Sequence, residues 1–315
     1  MRFLPSAVLA CLAMLSEPAW SQDQARSGEP PLTVCLQAND PPLSLRGDPP
    51  SGFDLELART IARNLGRDLH VQWFISRDDP DTNLVKDANA LLSDGRCQLL
   101  AEYPLLESTL RAHYAPTVKL PPFDGATPDD RRRWVKTHEL AATRPYRADA
   151  LAVVLPARDA DRPVRTLADL DGLKIGVQIA TLADAIAMHY GNGRLIEHVV
   201  HLPDARGVFE AVRSGTVDAA LVDLRAFDAW RGRHGSQDGS GALALSSYRH
   251  SLAFNMGVVG LASNSKLIEQ VDAILAELQA NDAIAPMAAR AGLTFLPPRT
   301  PAVGPDVGPA ALTQD

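Results

Sequence analysis

Polar and charged side chains follow the predicted strands of this chain, at the point where each strand ends. Open α/β sheets bind ligands outside the carboxyl ends of their strands, where loop N–H groups and helix N-termini converge. Carboxylates, amides and backbone N–H groups at such positions suit the binding of a small polar molecule. The candidate ligand-binding residues are Asn39, Asp40, Glu102, Tyr103, Gln178, Ala180, Thr181 and Asp223.

Two of these residues have a structural alternative. Thr181 can be the N-cap of the helix that follows it, and Asp223 can cap the helix that begins at Leu224. For both residues the capping role and the binding role stay open.

The sequence contains no pattern that predicts catalysis or a metal site. It has no Gly-x-Ser-x-Gly, no phosphate-binding glycine-rich loop and no cysteine-based zinc pattern. His198 and His201 lie three residues apart in a predicted strand, so their side chains point to opposite faces and cannot form a metal site as a pair. We therefore predict no catalytic residue, no metal and no cofactor.

The elements that position the candidate residues alternate between strand and helix. Residues 32–101 alternate in this way, with predicted helices over 53–65 and 83–93, and residues 174–222 repeat the alternation. Such alternation predicts an α/β fold in which helices cover both faces of parallel sheets. A last predicted helix, over residues 265–280, carries its apolar side chains on one stripe.

Length and charge limit the class of protein. The chain has 315 residues, which is more than a single hydrophobic core usually supports, so two lobes are expected. Its 46% hydrophobic and 22% charged residues are typical of a globular protein. The formal net charge of −7 argues against nucleic acid as a partner.

The N-terminus has the features of an export signal. Arg2 supplies a positive charge, residues 4–15 are apolar, and Ala19-Trp20-Ser21 forms a small-x-small cleavage site. The apolar run is too short to span a bilayer. We predict a signal peptide over residues 1–21, cleaved after Ser21, and a flexible leader over residues 22–31.

The stretch from Gly52 to Leu65 begins Gly-Phe-Asp-Leu-Glu-Leu and continues with apolar residues at helical spacing. The glycine permits a tight turn, and Asp54 and Glu56 place negative charge at the helix N-terminus, away from the apolar stripe. This pattern resembles the signature helix of bacterial extracytoplasmic solute-binding proteins of family 3. Further resemblances to that family lie, in order, at residues 34–45, 144–154, 169–178 and 215–223. Together they span the chain from about residue 32 to about residue 292.

The resemblance implies a two-lobed periplasmic binding protein (type 2) fold. Each lobe would be a doubly wound, mostly parallel sheet, and two crossover strands would form a hinge about which the lobes close on a ligand. The implied segments are lobe 1 over residues 32–149, lobe 2 over residues 150–254 and a return to lobe 1 over residues 255–296. Residues 297–315 are rich in proline and small residues, which predicts a disordered tail.

The sequence departs from the family where a ligand carboxylate would bind. Relatives that bind amino acids place Thr-x-x-Arg after the third strand, so that the arginine clamps the carboxylate. Here Leu110 stands at that position and Arg111 follows it, so Arg111 is the candidate but an amino-acid ligand is in doubt. Asp223 occupies the place where such relatives keep a carboxylate for the ligand's ammonium group.

The segment between Arg111 and Arg144 is longer than the family resemblance predicts, and we refer to residues 112–138 as the insertion. A loop of this length is usually functional or disordered. Its three consecutive arginines, residues 131–133, are either a solvated helix face or, with Trp134 beside them, a contact for an anionic ligand or partner. We expect the insertion to pack partly on lobe 1, as a lid or partner-docking surface at the rim of the cleft.

The cysteines bear on export and on cross-linking. Cys11 lies in the signal region after Val8-Leu9-Ala10, which leaves a lipoprotein signal as an alternative. Cys35 and Cys97 remain after cleavage, and an even count in an exported chain suggests a disulfide, the alternative being two separate buried thiols. Because similar family members can carry such a bridge, the resemblance favours the Cys35–Cys97 disulfide.

The resemblance implies a periplasmic protein that captures a small polar solute, resembling an amino acid or organic acid, for a membrane ABC permease. A first alternative is an accessory role, because Gly95-Arg96-Cys97 also resembles a branch associated with periplasmic quinoprotein alcohol dehydrogenases. A second is an enzyme similar to periplasmic cyclohexadienyl dehydratases, which would need a general acid such as Glu102 or His113. We expect a monomer that is not an enzyme.

Overall fold

The computed structural model describes residues 29–76, 83–111, 116–235 and 242–315. The predicted signal peptide and His113 lie outside these ranges. The strands are β1 (Leu32–Gln37), β2 (Asn39–Asp40), β3 (Ser44–Leu45), β4 (Leu69–Phe74), β5 (Leu99–Pro104), β6 (Thr117–Lys119), β7 (Trp134–Lys136), β8 (Leu140–Ala142), β9 (Arg147–Pro156), β10 (Ile175–Gln178), β11 (Val199–Leu202), β12 (Ala219–Asp223) and β13 (Leu243–Leu261). The helices are α1 (Phe53–Asn64), α2 (Leu84–Ser93), α3 (Glu107–Leu110), α4 (Leu182–His189), α5 (Ala205–Ser214), α6 (Leu224–His234), α7 (Ser265–Ala280) and α8 (Ile284–Arg290).

The predicted α/β class is confirmed, and the helices α1, α2 and α7 begin and end within one residue of their predicted bounds. Two features were missed. The short helix α8 follows α7, and β13 runs for 19 residues. No helix in the described ranges is both long and apolar enough to cross a membrane.

The main sheet joins both lobes in the strand order β11-β10-β12-β9-β13-β5-β1-β4, with β8 also paired to β13. Strands β4, β1 and β5 are parallel and form the sheet of lobe 1, while β11, β10 and β12 are parallel and form that of lobe 2. Strand β9 is antiparallel to β12, and β13 is antiparallel to both β9 and β5. The long strands β9 and β13 are therefore the crossovers between the lobes.

Helices cover the sheet on both faces. Gly52 allows α1 to begin, because its φ is 123° and a Cβ atom there would lie 2.3 Å from the carbonyl oxygen of Leu43. On lobe 1, Leu55 of α1 and Val271 of α7 are buried in one cluster with β1. On lobe 2, Ile186 of α4 and Phe209 of α5 are buried in separate clusters on opposite faces.

The predicted disulfide between Cys35 and Cys97 is confirmed, with Cα atoms 5.6 Å apart. Cys35 lies in β1, and Cys97 lies just before the parallel neighbour strand β5. Both residues are buried. The bridge therefore links β1 to the residues that lead into its neighbour strand β5, within lobe 1.

The described part of the insertion packs on lobe 1, in agreement with its apolar residues. Strands β6 and β7 form an antiparallel pair whose Val118 and Val135 side chains are buried in a cluster with α2. The N–H of Ile75 donates to the carbonyl oxygen of Pro122 at 2.8 Å, so the insertion also continues the edge of β4. The backbone of Asp130–Arg132 forms one short 3-10 turn.

Residues 297–315 differ from the predicted disorder, because they run along the hinge and contact both lobes. We call them the strap. The Asn255 side-chain amide on β13 donates to three strap carbonyl oxygens, those of Arg299, Pro301 and Ala302, at 2.8 to 3.0 Å. Further along, the N–H of Gly304 donates to the carbonyl oxygen of Leu105 on lobe 1 at 2.8 Å.

The end of the strap lies on lobe 2. The Asp315 carboxylate accepts hydrogen bonds from the hydroxyls of Tyr190 and Tyr248, each at 2.8 Å, and from the N–H of Leu167 at 2.8 Å. Prolines remove N–H donors from this segment but leave its carbonyl acceptors. Side-chain donors distant in sequence therefore hold a segment whose composition alone predicts disorder.

Candidate functional site

Charged side chains from both lobes and from the hinge meet in the cleft between the lobes. Asp40 ends β2 and Glu102 lies in the second half of β5, both in lobe 1. Asp223 ends β12 of lobe 2, and Arg225 lies in the first turn of α6. The hinge strand β9 adds an arginine and an aspartate. The charged residues of the cleft are Asp40, Glu102, Arg147, Asp149, Asp223 and Arg225.

A cavity of about 240 Å³ lies in this cleft. Its polar wall contains Glu102, Asp149, Asp223 and Arg225, and its remaining wall is apolar. The other lining residues are Leu84, Pro104, Ala150, Leu151, Leu182, Phe254 and Met256. Residues of lobe 1, lobe 2 and both hinge strands thus enclose one space.

Glu102, in the second half of β5, has an unusual backbone conformation. Its φ is 65°, in the left-handed region that a residue with a side chain rarely adopts. Its N–H donates to the Tyr146 hydroxyl at 2.9 Å, and that hydroxyl donates to Oδ1 of Asp54 at 2.9 Å. Both carboxylate oxygens of Glu102 accept from Nη2 of Arg147, at 2.6 and 2.7 Å. A buried network thus fixes the position of this carboxylate.

Arg147 is a buried cation of the hinge, with 2% of its surface exposed. A buried charge is costly unless it is paired. Besides the Glu102 contacts, its Nη1 lies 3.7 Å from Oδ2 of Asp149 and donates to the carbonyl oxygen of Ala148 at 3.3 Å. Its guanidinium is therefore already engaged by neighbours within the chain.

Arg225 reaches from lobe 2 across the cleft. Its Nη1 donates to both carboxylate oxygens of Asp40, at 3.1 and 3.0 Å, and lies 3.9 Å from Oε1 of Glu102. Its Nε lies 3.7 Å from Oδ2 of Asp149. A cation in the first turn of a helix is disfavoured by the helix dipole, so these carboxylates are what hold it there.

Burial shifts the titration of several carboxyl groups near the cleft. Burial raises the pKa of Asp40 and of Asp223 above the ordinary value, and the Arg225 guanidinium opposes this in both cases. Burial raises the pKa of Asp54 well above the ordinary value, and the Glu102 charge adds to that effect. In each of these carboxyl groups, burial therefore favours the neutral, protonated form.

The structure brings together three of the predicted ligand-binding residues, Asp40, Glu102 and Asp223. Asp223 makes no side-chain capping hydrogen bond to α6, so the structural alternative for this residue is absent. Tyr103, next to Glu102 on β5, points the other way into the core of lobe 1, where its hydroxyl donates to the carbonyl oxygen of Thr109.

The remaining predicted residues lie elsewhere. Asn39 lines a neighbouring groove of about 680 Å³, and Ala180 and Thr181 line a third cavity of about 700 Å³. Thr181 caps α4, because its hydroxyl accepts from the N–H of Asp184 at 3.3 Å and donates to the carbonyl oxygen of Gln178 at 2.7 Å. Thr181 therefore has the capping role.

Arg111, the candidate for a ligand carboxylate, lies on the surface. Its side chain is 64% exposed and pairs with Glu107 at 3.2 Å. It lines none of the three cavities described above. The structure places no carboxylate clamp at this position.

Sequence reasoning missed Arg147, Asp149 and Arg225, and it placed Asp54 on the polar face of α1 although the residue is 1% exposed. Two signals were available. Arg147 and Asp149 interrupt a strand that is otherwise apolar, and Arg225 is a cation at a helix start. Within the described ranges, no group of three or more histidine, cysteine, aspartate or glutamate residues is placed to hold a metal ion.

Comparison with known proteins defines the fold. No protein-family model and no curated protein sequence matches the chain. An ancestral cationic amino acid solute-binding protein has a TM-score of 0.56 and 16% identity, over 82% of this chain and 94% of that one. A histidine kinase sensor domain with similarity to periplasmic binding proteins has a TM-score of 0.51 and 17% identity, over 85% of this chain and 98% of that one.

At such identities a structural likeness establishes the fold alone. Both neighbours are matched over nearly their whole length. The two lobes and two crossover strands described above agree with the fold that these neighbours represent. The chain therefore has the two-lobed fold of periplasmic binding proteins.

Proposed function

We propose that this chain is an extracytoplasmic solute-binding protein whose cleft captures a small, positively charged solute and presents it to a membrane ABC transporter. The observation that carries the proposal is the convergence of carboxylates from both lobes and from the hinge on one interlobe cleft. Lobe closure about the β9 and β13 crossovers would enclose the solute between these groups.

The charge balance of the cleft favours a cation. Four carboxyl groups, those of Asp40, Glu102, Asp149 and Asp223, face two guanidinium groups. An ammonium or guanidinium group on the solute would supply charge-assisted hydrogen bonds to these oxygens.

The same residues argue against an organic acid and against an amino acid held by its carboxylate. Arg147 is engaged by Glu102, and Arg225 is engaged by Asp40. Arg111 lies on the surface. Both cleft arginines are therefore already paired with carboxylates of the chain itself.

The structural neighbours are consistent with a cationic solute. One of the two that carry the fold assignment is named for binding cationic amino acids. We extend that chemistry to this chain because the acidic residues of its own cleft support it.

An enzymatic role has less support from the site. Glu102, the candidate general acid inside the described residues, uses both carboxylate oxygens as acceptors for Arg147. Both oxygens are therefore engaged by a group of the chain itself. Three expectations from the sequence stay predictions. These are a role as partner of a quinoprotein dehydrogenase, a periplasmic location and a monomeric state.

A thermal-shift panel on the protein lacking residues 1–21 tests the proposal. The panel contains agmatine, putrescine and L-arginine as cations, L-glutamine as a neutral solute, and succinate and L-glutamate as anions, at equal ionic strength. A cation at about a hundred times its dissociation constant should add about 2.7 kcal/mol of stability. Stabilisation by the anions alone would overturn the proposal. The control variant is Asp161→Asn, because Asp161 is exposed and lines none of the three cavities. It should respond to the panel as wild type does.

A further inference from the structure

The β6–β7 pair of the insertion, which we call the insertion hairpin, has an outer face that takes no part in the cleft. In the β6–β7 pair Val118 lies opposite Val135, and both side chains point into lobe 1. Because side chains alternate along a strand, the flanking residues point outward, and all of them are exposed. These outward residues are Thr117, Lys119, Trp134 and Lys136.

Trp134 is the most exposed large apolar side chain that the structure describes, at 66%. Its cross-strand neighbour is Lys119. An indole ring has an apolar body and a single N–H donor, so it is suited to a boundary between an apolar phase and water.

Three of the cations near Trp134 form no ion pair with any described residue. In the part of the chain that the structure describes, no carboxylate lies within ion-pair distance of Lys119, Arg132 or Lys136. Of the nearby carboxylates, Asp94 pairs with Arg96 and Arg133, and Asp130 pairs with Arg96. This face is therefore positive on a protein whose formal net charge is −7. We call Lys119, Arg132, Trp134 and Lys136 the hairpin face.

We infer that the hairpin face binds the surface of an anionic lipid bilayer. Tryptophan side chains concentrate at the level of the lipid headgroups, and lysine and arginine are attracted to anionic lipids. One apolar contact combined with several cations matches the pair of signals that peripheral binding requires. The net acidity of the rest of the molecule would orient it with this face toward the bilayer.

The size of the face favours a bilayer over a protein partner. A specific protein interface usually takes about 20–30 residues from each side. The hairpin face offers four exposed side chains. A fluid surface of anionic headgroups needs no matching shape, so a small set of cations and one indole suffice.

The position of the face is compatible with solute binding. None of the described residues of the insertion lines the cleft cavity or either neighbouring cavity. Binding to a bilayer through the hairpin face would therefore leave the cleft open to solute, and it does not depend on which solute is bound.

Vesicle flotation tests this inference with the full chain after residue 21. The probes are vesicles of phosphatidylglycerol and phosphatidylcholine in equal parts, and vesicles of phosphatidylcholine alone. We expect binding to the anionic vesicles that weakens as salt rises. Lys119→Gln with Lys136→Gln should lower the partition coefficient about thirty-fold, which corresponds to about 1 kcal/mol for each lysine.

A matched pair of substitutions separates a local effect from net charge. Lys174→Gln with Lys266→Gln removes the same charge from exposed positions outside the insertion and should leave vesicle binding within about twofold of wild type. The emission shift of tryptophan on vesicle addition should disappear in Trp134→Phe. Absence of binding to the anionic vesicles, or equal loss in both lysine pairs, would overturn the inference. Binding of an acidic protein without any vesicle binding would also overturn it.

Discussion

The Arg225 guanidinium of lobe 2 lies 3.0 and 3.1 Å from the two carboxylate oxygens of Asp40 on lobe 1. This ion pair crosses the cleft and places a cation of the chain among the carboxylates that we propose bind the solute. A cationic solute would compete with Arg225 for the same oxygens. Solute binding and the contact between the lobes are therefore coupled through one side chain.

A double-mutant cycle measures this coupling. Asp40→Ala and Arg225→Ala should be non-additive by about 0.5–3 kcal/mol in the free energy of unfolding, because the two side chains contact each other across the cleft. The exposed pair Arg213 and Glu210 on α5 serves as the control, with about 0.3–0.5 kcal/mol expected. A coupling no larger than that of the control pair would mean that the interlobe contact is not maintained in solution.

The pH dependence of stability should change when Asp54 is replaced by asparagine. Burial raises the native pKa of Asp54 well above 3.8, so the native state favours the protonated form. The resulting stability is present below about pH 4, the unfolded pKa, and is lost as pH rises through the native pKa. Asp54→Asn can still accept the Tyr146 hydrogen bond, and its stability relative to wild type should increase with pH.

Urea unfolding at several pH values measures this difference, with the exposed Asp48→Asn as control. A difference between Asp54→Asn and wild type that is constant from pH 3 to pH 8 would contradict the buried position of Asp54.

The Cys35–Cys97 disulfide should contribute strongly to stability. The two residues are 62 positions apart, and a loop of that size is worth about 4 kcal/mol in the chain-entropy model. Cys35→Ala with Cys97→Ala should lower the free energy of unfolding by about that amount, as measured by urea denaturation. Detection of two free thiols in the unreduced protein by mass spectrometry would refute the bridge.

The strap should contribute to stability through Asp315. The Tyr248 side chain is 4% exposed, and its hydroxyl donates to the Asp315 carboxylate. Asp315→Ala leaves that buried hydroxyl without its acceptor, which should cost about 1–3 kcal/mol. The neighbouring exposed residue Gln314 provides the control substitution, Gln314→Ala. In the Tyr248→Phe background the cost of Asp315→Ala should shrink, and an unchanged cost would show that the two residues do not interact.

The parts of the fold that depend on local pattern could be predicted from the sequence. Helix α7 covers residues 265–280 as its apolar stripe predicts, because one face of a surface helix must pack on the sheet. The sequence also predicted Asp40, Glu102 and Asp223 as cleft residues, because parallel strands bring their carboxyl ends to one edge of the sheet.

The rest of the site depends on contacts between residues distant in sequence. Neighbours on a strand point to opposite faces, so only one of Glu102 and Tyr103 can reach the cleft, and the position of β5 in the sheet decides which. Arg225 becomes a cleft residue only because Asp40, 185 positions away, lies opposite it. The strap likewise depends on Asn255, which lies 44 positions before Arg299.

Calorimetric titration of wild type and of Asp223→Asn with the cation that stabilises the protein most tests the central claim directly. The account predicts that wild type binds this cation, and that Asp223→Asn weakens binding by about 2–5 kcal/mol because a charge partner of the solute inside the closed cleft is lost. Equal affinity in the two proteins, or tighter binding of succinate than of any cation by wild type, would contradict the account.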